Sequence, residues 1–164
     1  MAFDMETVRT ALVNVLTENT ATIAGSLTAG AVNSITRGSP ANQPKGIHQY
    51  PAIWVSYAGQ TPDWAEIGPS ARRMIRPRLR IVGSVSGTAE SNAAGGASHI
   101  TAETQAATMA DNIQNVINAN ISLSQTVAFI KVTDVEYNYQ GPGFAPEAHA
   151  SAFKIETEAL TFDT

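Results

Sequence analysis

Across residues 4–19, apolar side chains recur at Val8, Ala11, Leu12, Val15 and Leu16. This is the i, i+3, i+4, i+7, i+8 spacing that gathers them on one face of a helix. Asp4 stands where an N-cap accepts from otherwise unpaired amides, and Phe3 and Val8 are spaced as a hydrophobic staple. Glu6 falls in the first turn, where the helix dipole favours a carboxylate. The periodicity dissolves between Glu18 and Pro51, where Gly25, Gly30, Gly38, Pro40, Pro44, Gly46 and Pro51 interrupt it. Within that stretch only residues 31–37 have the texture of a short strand. The rest reads as a long connection of the kind that carries contacts.

A different period follows. Residues 52–57 (AIWVSY) are β-branched and aromatic and are bounded by Pro51 and Gly59, which predicts a strand. Residues 59–70 (GQTPDWAEIGPS) read as a loop holding Trp64 and Ile67. Residues 73–85 predict a second strand with Ile75, Leu79 and Ile81 facing inward and Arg76, Arg78 and Arg80 on the other face. Pro77 argues against a helix there and, lacking an N–H, points to an edge strand or a bulge. Residues 86–98 form a tip with no apolar anchor.

Residues 100–118 predict the second helix, with Ala106, Ala110, Ile113, Val116 and Ile117 on its apolar face and Glu103 near its start. Its small alanines imply close approach to a sheet. Residues 127–139 predict a third strand whose phase slips near 131–133, the mark of a bulge. After the turn cluster GPGFAPEAH, residues 151–162 set Phe153, Ile155 and Ala159 against Lys154, Glu156 and Glu158. The expected fold is a single α+β domain over 1–164 in the order α-β-β-α-β-β. It places two helices on one face of a mostly antiparallel four-stranded sheet, with long loops at about 20–50, 58–71, 86–98 and 140–150.

Charge changes this picture. The chain holds 10 Lys+Arg against 14 Asp+Glu, yet Arg72, Arg73, Arg76, Arg78 and Arg80 fall within nine residues. Without those five, 5 cations face 14 acids, a balance of −9. This cationic stripe in an acidic chain must meet something negative, and three readings are open. Glu156, Glu158, Asp134 and Glu136 share its alternation and could pair with it across strands. An acidic surface of another subunit could meet it. So could phosphate or DNA, although the net charge of −4 disfavours general nucleic-acid binding.

Only 15% of residues are charged, and small and hydroxylated side chains fill the surface, which suits extensive protein contact. The absence of cysteine excludes disulfides, thiolate metal sites and thiol nucleophiles. Acids stand where a signal peptide has its basic region, and no apolar run approaches a membrane span, so cytoplasmic folding is expected and the sequon at Asn120 is read as accidental.

Catalytic chemistry finds no foothold in the sequence. His48, His99 and His149 are far apart and lack metal-ligand spacing. Gly95-Gly96 lacks the following Lys of a phosphate loop, and no Gly-x-Ser-x-Gly elbow occurs. Asp134 and Glu136 share a strand face but are better placed to partner arginines than to move protons. No cofactor is expected. Trp54 reads as core, whereas Trp64, in a polar loop, reads as an interface anchor, with Tyr137, Tyr139 and Phe144 of similar character.

An N-terminal helix, the YPAIWVSY strand, the arginine-rich RPRLRIVGSV strand, a second helix and two terminal strands ending in FKIETEALTF resemble the tail terminator (tail completion or tube-capping) proteins of long-tailed bacteriophages. The resemblance covers most of the chain and rests on element order and texture. It implies a virion protein that closes into a ring, a hexamer in the usual case, on the end of the tail tube. There the ring ends tube growth and offers a docking surface to the neck. The partners implied are further copies of the chain, the tube protein and a head–tail connector. No catalytic residue comes with the likeness. A head–tail connector is the alternative within the same class, and a cytoplasmic ligand-binding α+β domain is the alternative outside it.

Overall fold

The computed structural model describes residues 3–25, 27, 32–40, 51–64, 73–86, 97–140 and 150–163. The first helix, α1 (Met5–Glu18), starts as expected: the Asp4 side chain accepts from the Glu6 amide at 3.0 Å and from the Thr7 hydroxyl at 3.0 Å. Val8, Leu12, Val15 and Leu16 are buried on its inner face, and Phe3 packs against the same core. A short α2 (Thr20–Ala24) follows and buries Ile23 and Ala24. It falls where the sequence reads as connection, because five residues are too few to show a helical period.

The sheet corrects the expected architecture. It has five strands, not four, in the order β1-β2-β3-β5-β4, and the described helices number three. These strands are β1 (Ser34–Arg37), β2 (Ala52–Trp64), β3 (Arg73–Ser86), β4 (Phe129–Tyr137) and β5 (Ala150–Asp163), with α3 (Ala97–Ala119) between β3 and β4. β1 runs parallel to β2 through Ile35↔Ile53 and Arg37↔Val55, and the other neighbours are antiparallel, so the sheet is mixed. β1 falls within the 31–37 stretch that reads as a short strand, and pairing with β2 gives it its place in the sheet.

Two further expectations give way. Residues 59–64 continue β2 and do not form a loop. A bulge between Tyr57 and Gly59 absorbs the extra residue, after which Gly59, Thr61 and Pro62 pair with Arg78, Arg76 and Ile75. Pro77 lies in a central strand, not at an edge. It is accommodated because the β3–β5 ladder has no registered pair at Arg76 or Pro77, between Ile75↔Thr161 and Arg78↔Glu158. The missing N–H falls in that gap. The slip expected in the third strand is the irregularity between Val132 and Asp134 of β4.

α1 packs on β1 and β2, and α3 packs on β3, β5 and β4. Ala106, Met109, Ala110, Ile113, Val116 and Ile117 of α3 are buried against Leu79, Ile81, Val85, Phe153 and Ile155. Phe153 lies directly opposite Gly83, and its ring occupies the space a side chain would need there. Of the two buried hydroxyls on this face of β5, those of Ser151 and Thr157, the latter donates to the Leu79 carbonyl at 3.0 Å. The helix-covered face is the core of the molecule. The other sheet face therefore carries whatever the strands present outward.

Candidate functional site

Strand alternation and the pairing register lay out that outward face row by row. One row runs Ser56, Arg80, Glu156, Asp134, and the next runs Gly59, Arg78, Glu158, Lys131. Beyond Arg78 toward one end of the sheet come Arg76 and Met74 on β3, Leu160 and Phe162 on β5, and Phe129 on β4. Toward the other end, Ala52, Trp54 and Val82 form a small buried cluster with Tyr139 packed on it. Trp54 is thus buried as expected, but on the face away from the helices. Among the described residues, no helix covers the charged rows.

The arginine stripe divides. Arg80 Nε donates to Glu156 Oε1 at 2.7 Å, an ion pair within the chain. Arg76 and Arg78 are exposed and have no ion-pair partner among the described residues. Arg78 is paired in register with Glu158, yet its guanidinium lies over Gly59 on the opposite neighbour, within 2.8 Å of where a Cβ would stand. Gly59, at φ +140°, supplies both the bulge conformation and the room. Glu158 instead has Lys131 at 3.9 Å.

The acids behave differently from the expectation that arginines hold them. Glu136 accepts from Lys154 at 2.8 Å, and Lys154 also lies 3.9 Å from Glu156. The hydrogen bond from Lys154 to Glu136 holds the ammonium above the usual lysine range, against the opposing effect of burial. Asp134 is exposed and has no ion-pair partner among the described residues. Two strand spacings, about 10 Å, separate its strand from β3. Asp134 therefore lies on an edge strand, and Arg76 and Arg78 lie two strands inward on the central one.

That separation holds for the whole fold. Residues 1–80 carry eight Lys+Arg against five Asp+Glu, and residues 81–164 carry two against nine, giving +3 and −7. The first set builds α1, β1, β2 and β3, and the second builds α3, β5 and β4. Because the sheet order is β1-β2-β3-β5-β4, this difference along the chain becomes a difference across the molecule. Every described arginine belongs to α1, β1 or β3, while Glu103, Asp111, Asp134 and Glu136 are exposed on α3 and β4.

Arg73 is half-buried at the start of β3, and Trp64 ends β2, though its side chain, like Arg72 and Phe144, lies outside the described residues. The tip at 87–96, the turn cluster at 141–149, His48 and His149 lie outside them too, and His99 is placed only as part of α3. Among the described residues no group of three or more His, Cys, Asp and Glu is positioned to hold a metal ion. No helix among them is long and apolar enough to cross a membrane.

The sequence reading missed a second cluster. Glu6 of α1 accepts from Thr10 Oγ1 at 3.3 Å, from Arg37 Nη1 of β1 at 3.3 Å, from Arg9 and from the Tyr57 hydroxyl of β2. The Arg9 guanidinium stacks 4.1 Å above the Tyr57 ring. The Tyr57 hydrogen bond, joined by Arg9, holds the Glu6 carboxyl below its ordinary value, and the same bond pushes the Tyr57 hydroxyl up. Only the i, i+3 spacing of Glu6 and Arg9 hints at this in sequence. No protein-family model matches the chain, and no curated protein is similar to it in sequence.

Proposed function

We propose that this chain is a non-enzymatic virion assembly subunit that closes head-to-tail into a ring and caps the tail tube of a long-tailed bacteriophage. The ring, a hexamer on the family resemblance, ends tube growth and receives the neck. One observation carries the reading: the sheet order sorts cations to one side of the molecule and acids to the other. A ring needs a heterologous interface, in which one patch meets a different patch on the next copy. Arg78 on the central strand and Asp134 on the β4 edge strand are each left without an ion-pair partner among the described residues, on one sheet face and two strand spacings apart. Neighbouring copies bring them together. The low density of charge elsewhere eases desolvation of such a seam.

Native mass spectrometry of Arg78→Glu, Asp134→Lys and the double variant tests this, with circular dichroism as the control for folding. Each single variant is expected to stay folded and lose the ring mass, and the double variant to regain it. Single variants that assemble like the parent protein would overturn the seam. Rings that bind capsids and not tail tubes would replace a tube cap with a neck connector.

A further inference from the structure

Two strand edges are left open, one on each side of the sheet, and they match. β1 covers β2 only as far as Val55, whose carbonyl accepts from the Gly38 amide at 2.8 Å. Beyond Val55 no strand among the described residues pairs with the outer side of β2, and Tyr57, Gln60, Thr61 and Pro62 are exposed. Pro62 has no N–H to offer, so the usable edge runs over 56–61. On the other side of the sheet, β4 is the last strand. Its Ile130 amide already donates to the Ile121 carbonyl at 2.7 Å, which leaves the edge open over 131–137. Open edges recruit further strands, and the bulges, Lys131 and Pro62 restrict which strand fits these two.

Direction and register agree. β2, β3, β5 and β4 alternate in direction, so β4 runs antiparallel to β2, and two copies side by side in one orientation set unlike edges together as an antiparallel pair. Each edge holds one extra residue, Ala58 between Tyr57 and Gly59 and Thr133 between Val132 and Asp134. Setting Ser56 opposite Glu136, Tyr57 opposite Val135, Gly59 opposite Asp134 and Thr61 opposite Lys131 keeps outward side chains beside outward ones, because the two extra residues offset each other. The pairing then ends where each edge closes, at Val55 and at Ile130.

The same register joins the charges. The Arg78 guanidinium lies over Gly59, turned from Glu158 toward the open side of β2. Asp134 of the adjoining copy stands one strand spacing, about 5 Å, from Gly59 on the same face. Gly59 puts no side chain between them, and Lys131 keeps Glu158 of its own chain.

We infer that copies of this chain join by strand addition, residues 131–136 of β4 in one copy extending the sheet of the next along residues 56–61 of β2, antiparallel and with Asp134 beside Gly59. The inference rests on the head-to-tail ring reading and specifies its seam. Ladder hydrogen bonds make the join, and the Arg78–Asp134 contact selects the register. One continuous sheet then runs round the ring.

The chain has no cysteine, so an introduced pair reports alone. In full-length Thr61→Cys/Lys131→Cys the two thiols lie three strand spacings apart within one chain, at least about 14 Å, too far to bridge. Mild oxidation is expected to link copy to copy, giving a ladder on non-reducing gels that ends at the ring mass, with the circular dichroism of the parent. Thr61→Cys/Glu136→Cys, whose thiols the same register holds apart, is expected to stay unlinked. Rings that form by native mass spectrometry without linkage in the first variant would overturn strand addition and leave the ring reading standing. Equal linkage in both variants would overturn the register. Disulfide dimers of Thr61→Cys or Lys131→Cys alone would overturn the pairing of unlike edges. A parent chain that stays monomeric at every concentration would sink the ring itself and this seam with it.

Discussion

Gly83 and Phe153 show how closely the core of this fold depends on single side chains. A Cβ built on Gly83 would stand 2.2 Å from Phe153 Cζ and 2.5 Å from Cε1, and the ring is fully buried, so it has nowhere to go. Gly83→Ala is expected to destabilise the protein by about 1–3 kcal/mol through overpacking, read as a lower midpoint in urea at unchanged slope. An unchanged midpoint would mean that the ring moves aside without cost. Arg78 uses glycine in another way. Its guanidinium lies across Gly59, and that position keeps it away from Glu158, the acid directly beside it in register. Alternation along 76–80 and 154–158 is legible in the sequence, and it finds the Arg80–Glu156 pair. Which way Arg78 turns is not legible, because it depends on a bulge in a neighbouring strand.

Among the elements, β1 is the least self-sufficient, and a clasp holds it in place. Arg37 of β1 and Tyr57 of β2 both donate to Glu6 of α1. The folded Glu6 carboxyl lies below its ordinary 4.5, so its contribution is present above that pH and is lost as pH falls through the folded value. The folded Tyr57 hydroxyl lies above 10.0, so its contribution is present below that pH and is lost as pH rises through the folded value. Tyr57→Phe removes the shared bond. Melting followed across pH should show a lower midpoint near neutrality and a shallower fall on both the acid and alkaline flanks; a variant curve that parallels the parent's would exclude the clasp. Elements were readable from sequence where the period was long and uninterrupted, as in α1, α3 and β5. They were not where partners decide the outcome. A short strand is legible at 31–37, but its place in the sheet beside β2 is not, and residues 59–64 stay in the sheet because a bulge makes room for glycine and proline that read as turn signals. Pro77 is central because its lost donor coincides with a lapse in the ladder, a coincidence of two strands that neither reveals alone.

At the scale of the whole molecule, a skew of charge along the chain becomes a dipole across it only through strand order. Had β4 and β5 paired on the β1 side, the same residues would have offered no head-to-tail match. The lapse at Pro77 has a mechanical counterpart at this scale. It stitches β3 to β5 in two runs, Arg78–Ser86 and Arg73–Ile75, and β4 follows β5 only as far as Leu160. Thr161, Phe162 and Asp163 are paired in register only through the short run, and their amides should exchange with deuterium well ahead of those of Ile155 and Thr157. Equal protection along β5 would show that the strand opens as one unit. A sheet stitched in this way is held most firmly along its charged rows and least firmly at the end where β3 and β5 meet in three pairs.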